Sequence, residues 1–201
     1  MSMDRSDIAS VVSRETIERL NIYVELLKRW NPKINLVSPA TIQDVWARHI
    51  GDSLQIADLD RSNSRWVDIG SGAGFPGLVV ACQSPERDVV LVESDRRKCL
   101  FMQTVIRECR LAARVVNSRI ENLDTVGASV LSARALAPLP NLLDFASQHL
   151  EPNGVCLFLK GANRQSEILE ARRYWTFELD EVQSQTNANS AILRIRGLKR
   201  V

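Results

Sequence analysis

The stretch VDIGSGAGFPG, from Val67 to Gly77, places four glycines and one proline directly after a short apolar run. A glycine inside a regular element costs about 0.5–1 kcal/mol relative to alanine, because it gives up more backbone freedom on folding. Glycines at this density indicate a backbone that must bend where a Cβ is forbidden, or that another group approaches closely. The turn is therefore a candidate ligand site.

Strands and helices are predicted to alternate around this turn. Residues 65–70 read as a short strand and residues 77–82 as the start of a helix. The continuous apolar run at 88–93 is typical of a strand buried on both faces of a parallel sheet. The patterns further along predict a helix at 95–109, strands at 113–118 and 129–136, a helix at 139–150, a turn at 151–154 and a strand at 155–161. Such alternation indicates an α/β fold with a doubly wound, mostly parallel sheet.

Two finer expectations concern the same part of the chain. The final strands, at about 175–183 and 190–197, flank a polar segment with no helix between them, so they should pair as an antiparallel hairpin. In the helix at 95–109, the residues expected to face inward are Leu100, Val105, Ile106 and Cys109.

A helical extension is predicted before the sheet. Apolar residues at spacings of three and four indicate a helix over 14–30, which the segment Asn31-Pro32-Lys33 should end. Thr41 and Asp44 have the spacing of a capping box before a second helix at about 42–58. We therefore expect residues 1–64 to form a helical extension packed on the core, and residues 65–201 to form the main domain.

Composition limits the class of protein. The chain has 201 residues, of which 45% are hydrophobic and 25% charged, as is ordinary for soluble globular proteins. No apolar run approaches the roughly 20 residues of a membrane span, and the N-terminal segment lacks the apolar region of a signal peptide. The four cysteines have no C-x-x-C spacing, which predicts buried free thiols and no metal site. We expect a cytoplasmic monomer with no membrane or metal partner.

Basic residues are concentrated near the C-terminus. The net charge is +2, and residues 160–201 contain eight basic and five acidic side chains. This mild bias permits a nucleic-acid partner without demanding one. The candidate contacts to an RNA backbone are a cluster at a helix start, Arg96, Arg97 and Lys98, and a basic tail, Arg194, Arg196, Lys199 and Arg200.

The glycine turn points to a nucleoside ligand. It follows the first core strand and opens a helix, which is where open α/β sheets bind ligands. The spacing Gly72-x-Gly74-x-x-Gly77 fits a dinucleotide fingerprint, which is weak evidence taken alone. Glu93, followed by Ser94, ends the next strand about 20 residues on, where an acid can accept hydrogen bonds from two ribose hydroxyls.

Two adenosine cofactors fit this pattern, and the residues favour one of them. Asp68 lies two residues before Gly70, where a carboxylate suits the cationic S-adenosylmethionine and repels the pyrophosphate of NAD. Pro76 removes one N–H from the helix start and so weakens an anion site. The antiparallel hairpin is also unlike a dehydrogenase sheet. The residues therefore favour S-adenosylmethionine and a class I methyltransferase fold.

Seven segments together carry a more specific resemblance. The chain resembles the bacterial 16S ribosomal RNA guanine-N7 methyltransferases, known as glucose-inhibited division protein B, over about residues 15–200. In chain order the segments are WNPKINLVS (30–38), RHIGDSL (48–54), VDIGSGAGFPG (67–77), VESDRRKCLFM (92–102), SRIENL (118–123), SARALAPL (132–139) and FLKG (158–161). One departure is Ser129, where members commonly carry an aspartate.

The resemblance implies methylation of N7 of a guanine in 16S ribosomal RNA within the 30S subunit, with S-adenosylmethionine as the donor. It implies that Gly70 and Phe75 line the cofactor pocket, that Glu93 holds the ribose, and that Ile120 and Glu121 lie beside the adenine. It also implies that Arg134 is a binding-site residue that faces the cofactor or the substrate. Guanine N7 has a free lone pair, so no general base is expected. The residues that act in catalysis stay open, with Arg134, Asp52 and His49 as candidates; Lys160 is a further candidate for a phosphate.

Several alternatives remain open at the level of sequence. They are a methyltransferase that acts on a small molecule or a protein, a non-catalytic module that binds a nucleoside, and an NAD-binding protein. Whether naked RNA or the assembled subunit is the substrate, and which surface contacts RNA, is equally undecided.

Overall fold

The computed structural model describes residues 4–201 and contains one seven-stranded sheet in the order β3-β2-β1-β4-β5-β7-β6. The first five strands are parallel, whereas β7 pairs antiparallel with both β5 and β6. This confirms the doubly wound sheet and its closing hairpin. The strands are β1 (Trp66–Ile69), β2 (Val89–Glu93), β3 (Arg114–Asn117), β4 (Ala128–Arg134), β5 (Leu150–Lys160), β6 (Trp175–Gln183) and β7 (Ala191–Arg200).

Eight α-helices in the described chain cover the two faces of the sheet. They are α1 (Arg5–Val11), α2 (Arg14–Ile34), α3 (Pro39–Ile42), α4 (Asp52–Ala57), α5 (Gly77–Gln83), α6 (Arg96–Cys109), α7 (Leu139–His149) and α8 (Arg164–Ala171). A π-helical turn at Trp46–Gly51 precedes α4, and a 3₁₀ turn at Ile120–Asn122 follows β3. One hydrophobic cluster joins α1, α2, α4, α5 and α6 to the sheet, and a second joins α7 and α8 to the opposite face.

The N-terminal helices share their core with the sheet. In α2 the side chains of Leu20, Tyr23, Val24 and Leu27 are buried in the same cluster as Phe101 of α6. Their spacing of three and four residues produces the apolar stripe that the sequence predicts. The helical extension therefore packs on the core, while the boundary at residue 64 stays a prediction.

The end of α2 differs from the expectation. The helix continues through Pro32 to Ile34 and ends where Asn35 adopts a left-handed conformation, with φ of 48°. Pro32 lacks only the N–H that would bond to the carbonyl of Lys28, and the helix runs for just two more residues. The left-handed Asn35 therefore ends the helix, and the proline does not.

Other boundaries were predicted wrongly for local reasons. The segment 151–154 is not a turn but part of β5, because Leu150 pairs with Ala128 while Val155 pairs with Val130, so the extra residues are absorbed as an irregularity. Thr41 belongs to α3 and caps no helix, so the predicted helix over 42–58 is broken. Leu100 is 48% exposed, although Val105 and Cys109 face inward.

Two helices have no counterpart in the sequence-based prediction. The seven-residue α1 buries only Ile8, so it leaves no apolar stripe to detect, and a capping box of Asp4 and Asp7 defines its start. The short α8 buries only Ile168 and Ala171. In both cases tertiary packing stabilises a helix too short to show a period.

Two further findings concern the class of protein. Across residues 4–201 no helix has both the length and the hydropathy of a membrane span. All four cysteines are buried and free, as their spacing predicts.

We expect Gly77→Ala to destabilise the protein strongly, because an added Cβ would lie 2.3 Å from Leu91 Cδ2 and 2.8 Å from Asp68 Cβ. Overpacking of this kind costs about 1–3 kcal/mol. Urea denaturation measures the change. The matched control is Gly161→Ala, where a Cβ would meet no atom of the described chain within 4 Å. Equal midpoints for the two variants would contradict the packing argument.

Candidate active site

A cleft of about 600 Å³ opens at the carboxyl edge of the sheet, between the glycine turn and the loop after β4. Open α/β sheets place ligands at this edge, where the strand order reverses between β1 and β4. Eight of the ten residues predicted to bind a cofactor line the cleft: Gly70, Gly72, Phe75, Glu93, Ser94, Ile120, Glu121 and Arg134. The structure therefore brings together most of the site that the sequence predicts. The other two, Asp68 and Gly74, do not line the cleft.

The glycines of the turn differ in what an added Cβ would contact. Gly70, Gly72 and Gly74 all have positive φ, at 63°, 58° and 96°. A Cβ on Gly70 or Gly74 would come within 2.5 Å of Leu136 or Leu78, so these two glycines serve packing. A Cβ on Gly72 would have only a backbone oxygen near it, at 3.8 Å. Gly72 is thus the glycine that keeps space open for a ligand.

Glu93, at the end of β2, fixes the turn and faces the cleft. Its Oε2 accepts a hydrogen bond from the Gly72 N–H at 2.8 Å, and its Oε1 accepts one from the Asp95 N–H at 2.8 Å. Each carboxylate oxygen has two lone pairs, so acceptor capacity remains for a ligand. A carboxylate so anchored is suited to hold two ribose hydroxyls.

Tyr23 of α2 holds the turn from the other side. Its side chain is fully buried, and its hydroxyl donates a hydrogen bond of 2.6 Å to the carbonyl of Ala73. Burial raises the pKa of Tyr23 well above its usual value, so the hydroxyl stays a donor. Sequence reasoning missed this residue: Tyr23 fits the apolar stripe of α2, but a stripe does not reveal what a hydroxyl reaches.

Asp68 lies beneath the turn and not in the cleft, contrary to the expectation that its carboxylate faces a cationic ligand. It is fully buried, and it accepts hydrogen bonds from Ser132 Oγ at 2.7 Å and from the Gly77 N–H at 3.3 Å. Trp66 Nε1 donates to the same serine at 2.8 Å. Burial raises the pKa of Asp68 to about 6 in spite of these bonds. Its evident role is to join β1, β4 and the start of α5.

Two of the three catalytic candidates, His49 and Arg134, lie against the buried ring of Phe75. The His49 ring stacks on it with centroids 5.0 Å apart, and the Arg134 guanidinium lies 4.9 Å from its centroid. Burial, followed by the charges of Arg134 and Arg48, lowers the pKa of His49 to about 3. His49 is therefore neutral near pH 7, with Nε2 against the hydroxyl of Thr41 at 3.0 Å.

Arg134 and Asp52 differ in their access to the cleft. Arg134 lines the cleft and, within residues 4–201, its guanidinium has no ion-pair partner within 4.0 Å. Asp52 does not line the cleft; it accepts a hydrogen bond from the Thr186 hydroxyl, and burial raises its pKa. Of the three candidates, only Arg134 presents a polar group to a ligand in the cleft.

A family model described as rRNA small subunit methyltransferase G matches residues 16–195. The chain belongs to this family. A relative of that name from Ruegeria sp. (strain TM1040) is 49% identical, with all of both chains covered. Another, from Paracoccus denitrificans, is 48% identical over 94% of this chain and 98% of its own. The resemblance carried by the sequence motifs is thus confirmed, and this methyltransferase uses S-adenosylmethionine.

Solved structures of low identity show the same fold. A TehB-like S-adenosylmethionine-dependent methyltransferase from Corynebacterium glutamicum aligns with a TM-score of 0.61 at 15% identity, over 88% of this chain and 98% of its own. TYW2 of M. jannaschii, solved in complex with S-adenosylmethionine, aligns with a TM-score of 0.61 at 14% identity, over 85% and 80%. These matches confirm the class I methyltransferase fold.

The residues of the cleft in this methyltransferase fit the cofactor. The open space above Gly72 admits a nucleoside, and the Glu93 carboxylate offers lone pairs where a ribose would lie. Buried Ile120 and exposed Glu121 line the same cleft beside the 3₁₀ turn. Their individual contacts to the cofactor stay predictions.

The cations predicted to contact RNA fall into two groups. Lys98 lines the cleft and Arg96 is exposed at the start of α6, where Asp95 caps the helix by accepting from the N–H groups of Arg97 and Lys98. This cap offsets the unfavourable charge of the cluster. Arg97 also ion-pairs with Asp95, at 3.4 Å. Arg119, which sequence reasoning missed, lines the cleft as well.

The second group is largely neutralised by nearby carboxylates. Lys160 pairs with Glu167 at 2.5 Å and donates to the Ala137 carbonyl at 3.0 Å, so it does not offer a free ammonium to a phosphate. In β7, Arg196 pairs with Asp180 and Arg200 with Asp144, each at 3.6 Å, Arg194 is half-buried and Lys199 is exposed. The predicted basic tail is therefore part of a strand, and two of its four cations are ion-paired.

Ser129, the departure from the family pattern, lies away from the cleft. Its hydroxyl donates a hydrogen bond of 2.8 Å to Glu151 at the irregular start of the β4–β5 pairing. The substitution therefore concerns a strand start and leaves the lining of the cleft unchanged.

We expect Tyr23→Phe to weaken both the fold and the site, because the Ala73 carbonyl would lose its buried partner. Leaving such a group unpaired costs about 1–3 kcal/mol. Urea denaturation reports the loss of stability, and calorimetry should show several-fold weaker cofactor binding. Tyr174→Phe is the control, since Tyr174 is 51% exposed. Unchanged cofactor affinity in Tyr23→Phe would show that α2 does not hold the turn.

Asp68 should make stability depend on pH in a definite direction. Its pKa of about 6 exceeds the ordinary value of 3.8, so between these pH values the folded state keeps a proton that the unfolded state has lost. Its contribution is present at low pH and disappears as pH rises through 6. Relative to Asp68→Asn, the wild-type protein should lose about 2 kcal/mol of unfolding free energy between pH 4 and pH 7.

Urea titrations at pH 4, 5, 6 and 7 measure this difference. Asp124→Asn, at an exposed position, provides the control for the substitution itself. A flat difference for Asp68→Asn would mean that the buried carboxylate is not perturbed.

Proposed function

We propose that this methyltransferase transfers a methyl group from S-adenosylmethionine to N7 of a guanine in 16S ribosomal RNA. The observation that carries the proposal is family membership over residues 16–195, together with a cleft whose Gly72 and Glu93 fit the donor. The relatives are named ribosomal RNA small subunit methyltransferase G. We further propose that the protein acts in the cytoplasm, as a monomer, on the 30S subunit or its precursor.

The methyl transfer requires little from the protein beyond the positioning of the two reactants. When bound, S-adenosylmethionine supplies a methyl group activated by a sulfonium. Guanine N7 has a free lone pair in the edge that faces the major groove, so it needs no deprotonation. His49 is neutral, and Asp52 accepts a hydrogen bond from the Thr186 hydroxyl. Both observations are consistent with the absence of a dedicated general base. Alignment of the reactants then supplies most of the rate enhancement.

The chain's own residues would divide that work. Glu93, held by the Gly72 and Asp95 N–H groups, would orient the ribose. Phe75 and its stacked His49 would form a rigid wall, against which the Arg134 guanidinium is held ready for an oxygen of the substrate. A role for Asp52 in balancing the positive charge left on the methylated purine stays a prediction.

The RNA backbone would approach the cleft along the start of α6. Arg96, Lys98 and Arg119 support this path, because Lys98 and Arg119 line the cleft and Arg96 is exposed close by. Phosphate contacts by arginine and lysine supply affinity that does not depend on sequence and falls with salt. Arg97 and Lys199 are proposed as weaker contributors, since the first is ion-paired and the second is distant on β7.

The test is incubation of the protein with labelled S-adenosylmethionine and three acceptors: 30S subunits, deproteinised 16S RNA and tRNA. We expect label in 16S RNA, at a single guanine that borohydride and aniline cleave. Gly72→Val is the inactive control, because a β-branched residue is strained at a φ of 58° and would fill the cleft. Label at another atom, or only in tRNA, would overturn the proposal.

A further inference from the structure

A second cavity, of about 370 Å³, adjoins the cleft at the carboxyl ends of β4 and β5. Arg134 and Ala135 line both spaces, so the two spaces adjoin at these residues. The residues that line the second cavity alone are Leu159, Lys160, Gly161, Ala162, Asn163, Glu167 and Ser190. A group held there would lie next to whatever occupies the cleft.

The backbone around this cavity has one strained position, Ala135, and one position with open space beside it, Gly161. Ala135 has φ of 54°, a left-handed conformation that residues with a Cβ rarely adopt. Strain of this kind persists where the surrounding structure enforces it, and it clusters at ligand sites. On another wall, a Cβ on Gly161 would find no described atom within 4 Å, so the space beside it is open.

Glu167 lines this cavity and has one carboxylate oxygen without a hydrogen-bond partner in the described chain. Its Oε2 accepts from the Leu139 N–H at 2.7 Å and from Lys160 Nζ at 2.5 Å. Its Oε1 has no hydrogen-bond partner in the part of the chain that is described. Lys160 is held in turn by the Ala137 carbonyl at 3.0 Å. The carboxylate is therefore fixed in place with two lone pairs still available.

A fixed, acceptor-only oxygen matches one edge of guanine. Guanine presents N1–H and N2–H₂ as adjacent parallel donors, while O6 and N7 are acceptors on another edge. Adenine places an acceptor, N1, where guanine has a donor, and a carboxylate repels it. Enzymes that modify a base hold it in a pocket outside the helical stack and recognise it by this Watson–Crick edge.

We propose that the second cavity holds the target guanine, and that Glu167 Oε1 selects it by accepting hydrogen bonds from N1–H and N2–H₂. The inference rests on the proposed function and adds the site that recognises the base. With that edge on Glu167, N7 is left free to face the cleft, where the methyl group of the donor would lie. Arg134 can then donate to O6 only, since a bidentate contact to O6 and N7 would occupy the reacting lone pair.

The experiment compares guanosine with inosine, which lacks only the N2 amino group. Each is ligated into 16S RNA at the position that the wild-type protein methylates, and the RNA is assembled into 30S subunits. We expect kcat/KM for guanosine to exceed that for inosine by about ten- to a hundredfold, the effect of one hydrogen bond to a charged group. A wild-type ratio near one overturns the inference without any variant.

Glu167→Gln tests the residue itself. The amide oxygen should take over the bonds to Lys160 and Leu139, which leaves the NH₂ group facing the donors of guanine. The ratio of guanosine to inosine should then fall to about threefold or less. Asn163→Ala is the matched control, because Asn163 lines the same cavity while Glu167 and its bonds stay in place. Its ratio of guanosine to inosine should stay at the wild-type value.

The outcomes separate the two proposals. A wild-type ratio retained by Glu167→Gln, or lost equally by Asn163→Ala, would assign Glu167 a structural role and overturn the inference while N7 methylation stands. Urea denaturation and calorimetry with S-adenosylmethionine confirm that each variant folds and binds the donor. Failure of the wild-type protein to methylate any 16S RNA would instead remove the proposed function, and the inference with it.

Discussion

The shape of the cleft depends on how the backbone from Gly70 to Gly77 is held. Three buried or half-buried oxygens from three elements fix it. Glu93 of β2 accepts from Gly72, Asp68 of β1 accepts from Gly77, and Tyr23 of α2 donates to Ala73. A glycine-rich turn has many conformations of similar energy when it is free, so these contacts are what select one of them. The helical extension is therefore part of the cofactor site as well as of the hydrophobic core.

Charge in this region is distributed unevenly. Asp68 is buried with hydrogen-bond donors but without a cation in contact, and its raised pKa reflects that cost. Arg134 lies against the face of Phe75, and within the described chain it lacks an ion-pair partner. A half-buried guanidinium without a carboxylate is costly, since desolvation is not repaid. Sites with such unpaired groups are often functional, and here the cation borders both cavities.

The division into two cavities follows from the order of the strands. The turn after β1 and the end of β2 form the cleft, whereas the ends of β4 and β5 form the second cavity, and the reversal of strand order lies between β1 and β4. A methyl donor in the cleft and the proposed methyl acceptor in the second cavity can thus be held by separate elements. The two would meet at Arg134 and Ala135. The cations at the mouth belong to α6 and the loop after β3, while in β7 Arg196 and Arg200 are paired with acids.

The sequence by itself determined the alternation of strands and helices, the position of the turn and the acid at the end of β2. These features depend on local period and on glycine, which short segments encode. Only the tertiary structure decided that Tyr23 reaches Ala73, that Asp68 points under the turn, that Lys160 is bound to Glu167 and that residues 151–154 are absorbed into a strand. A local pattern shows which face a side chain occupies, but its partner lies on a distant segment. That partner is known only once packing brings the two together.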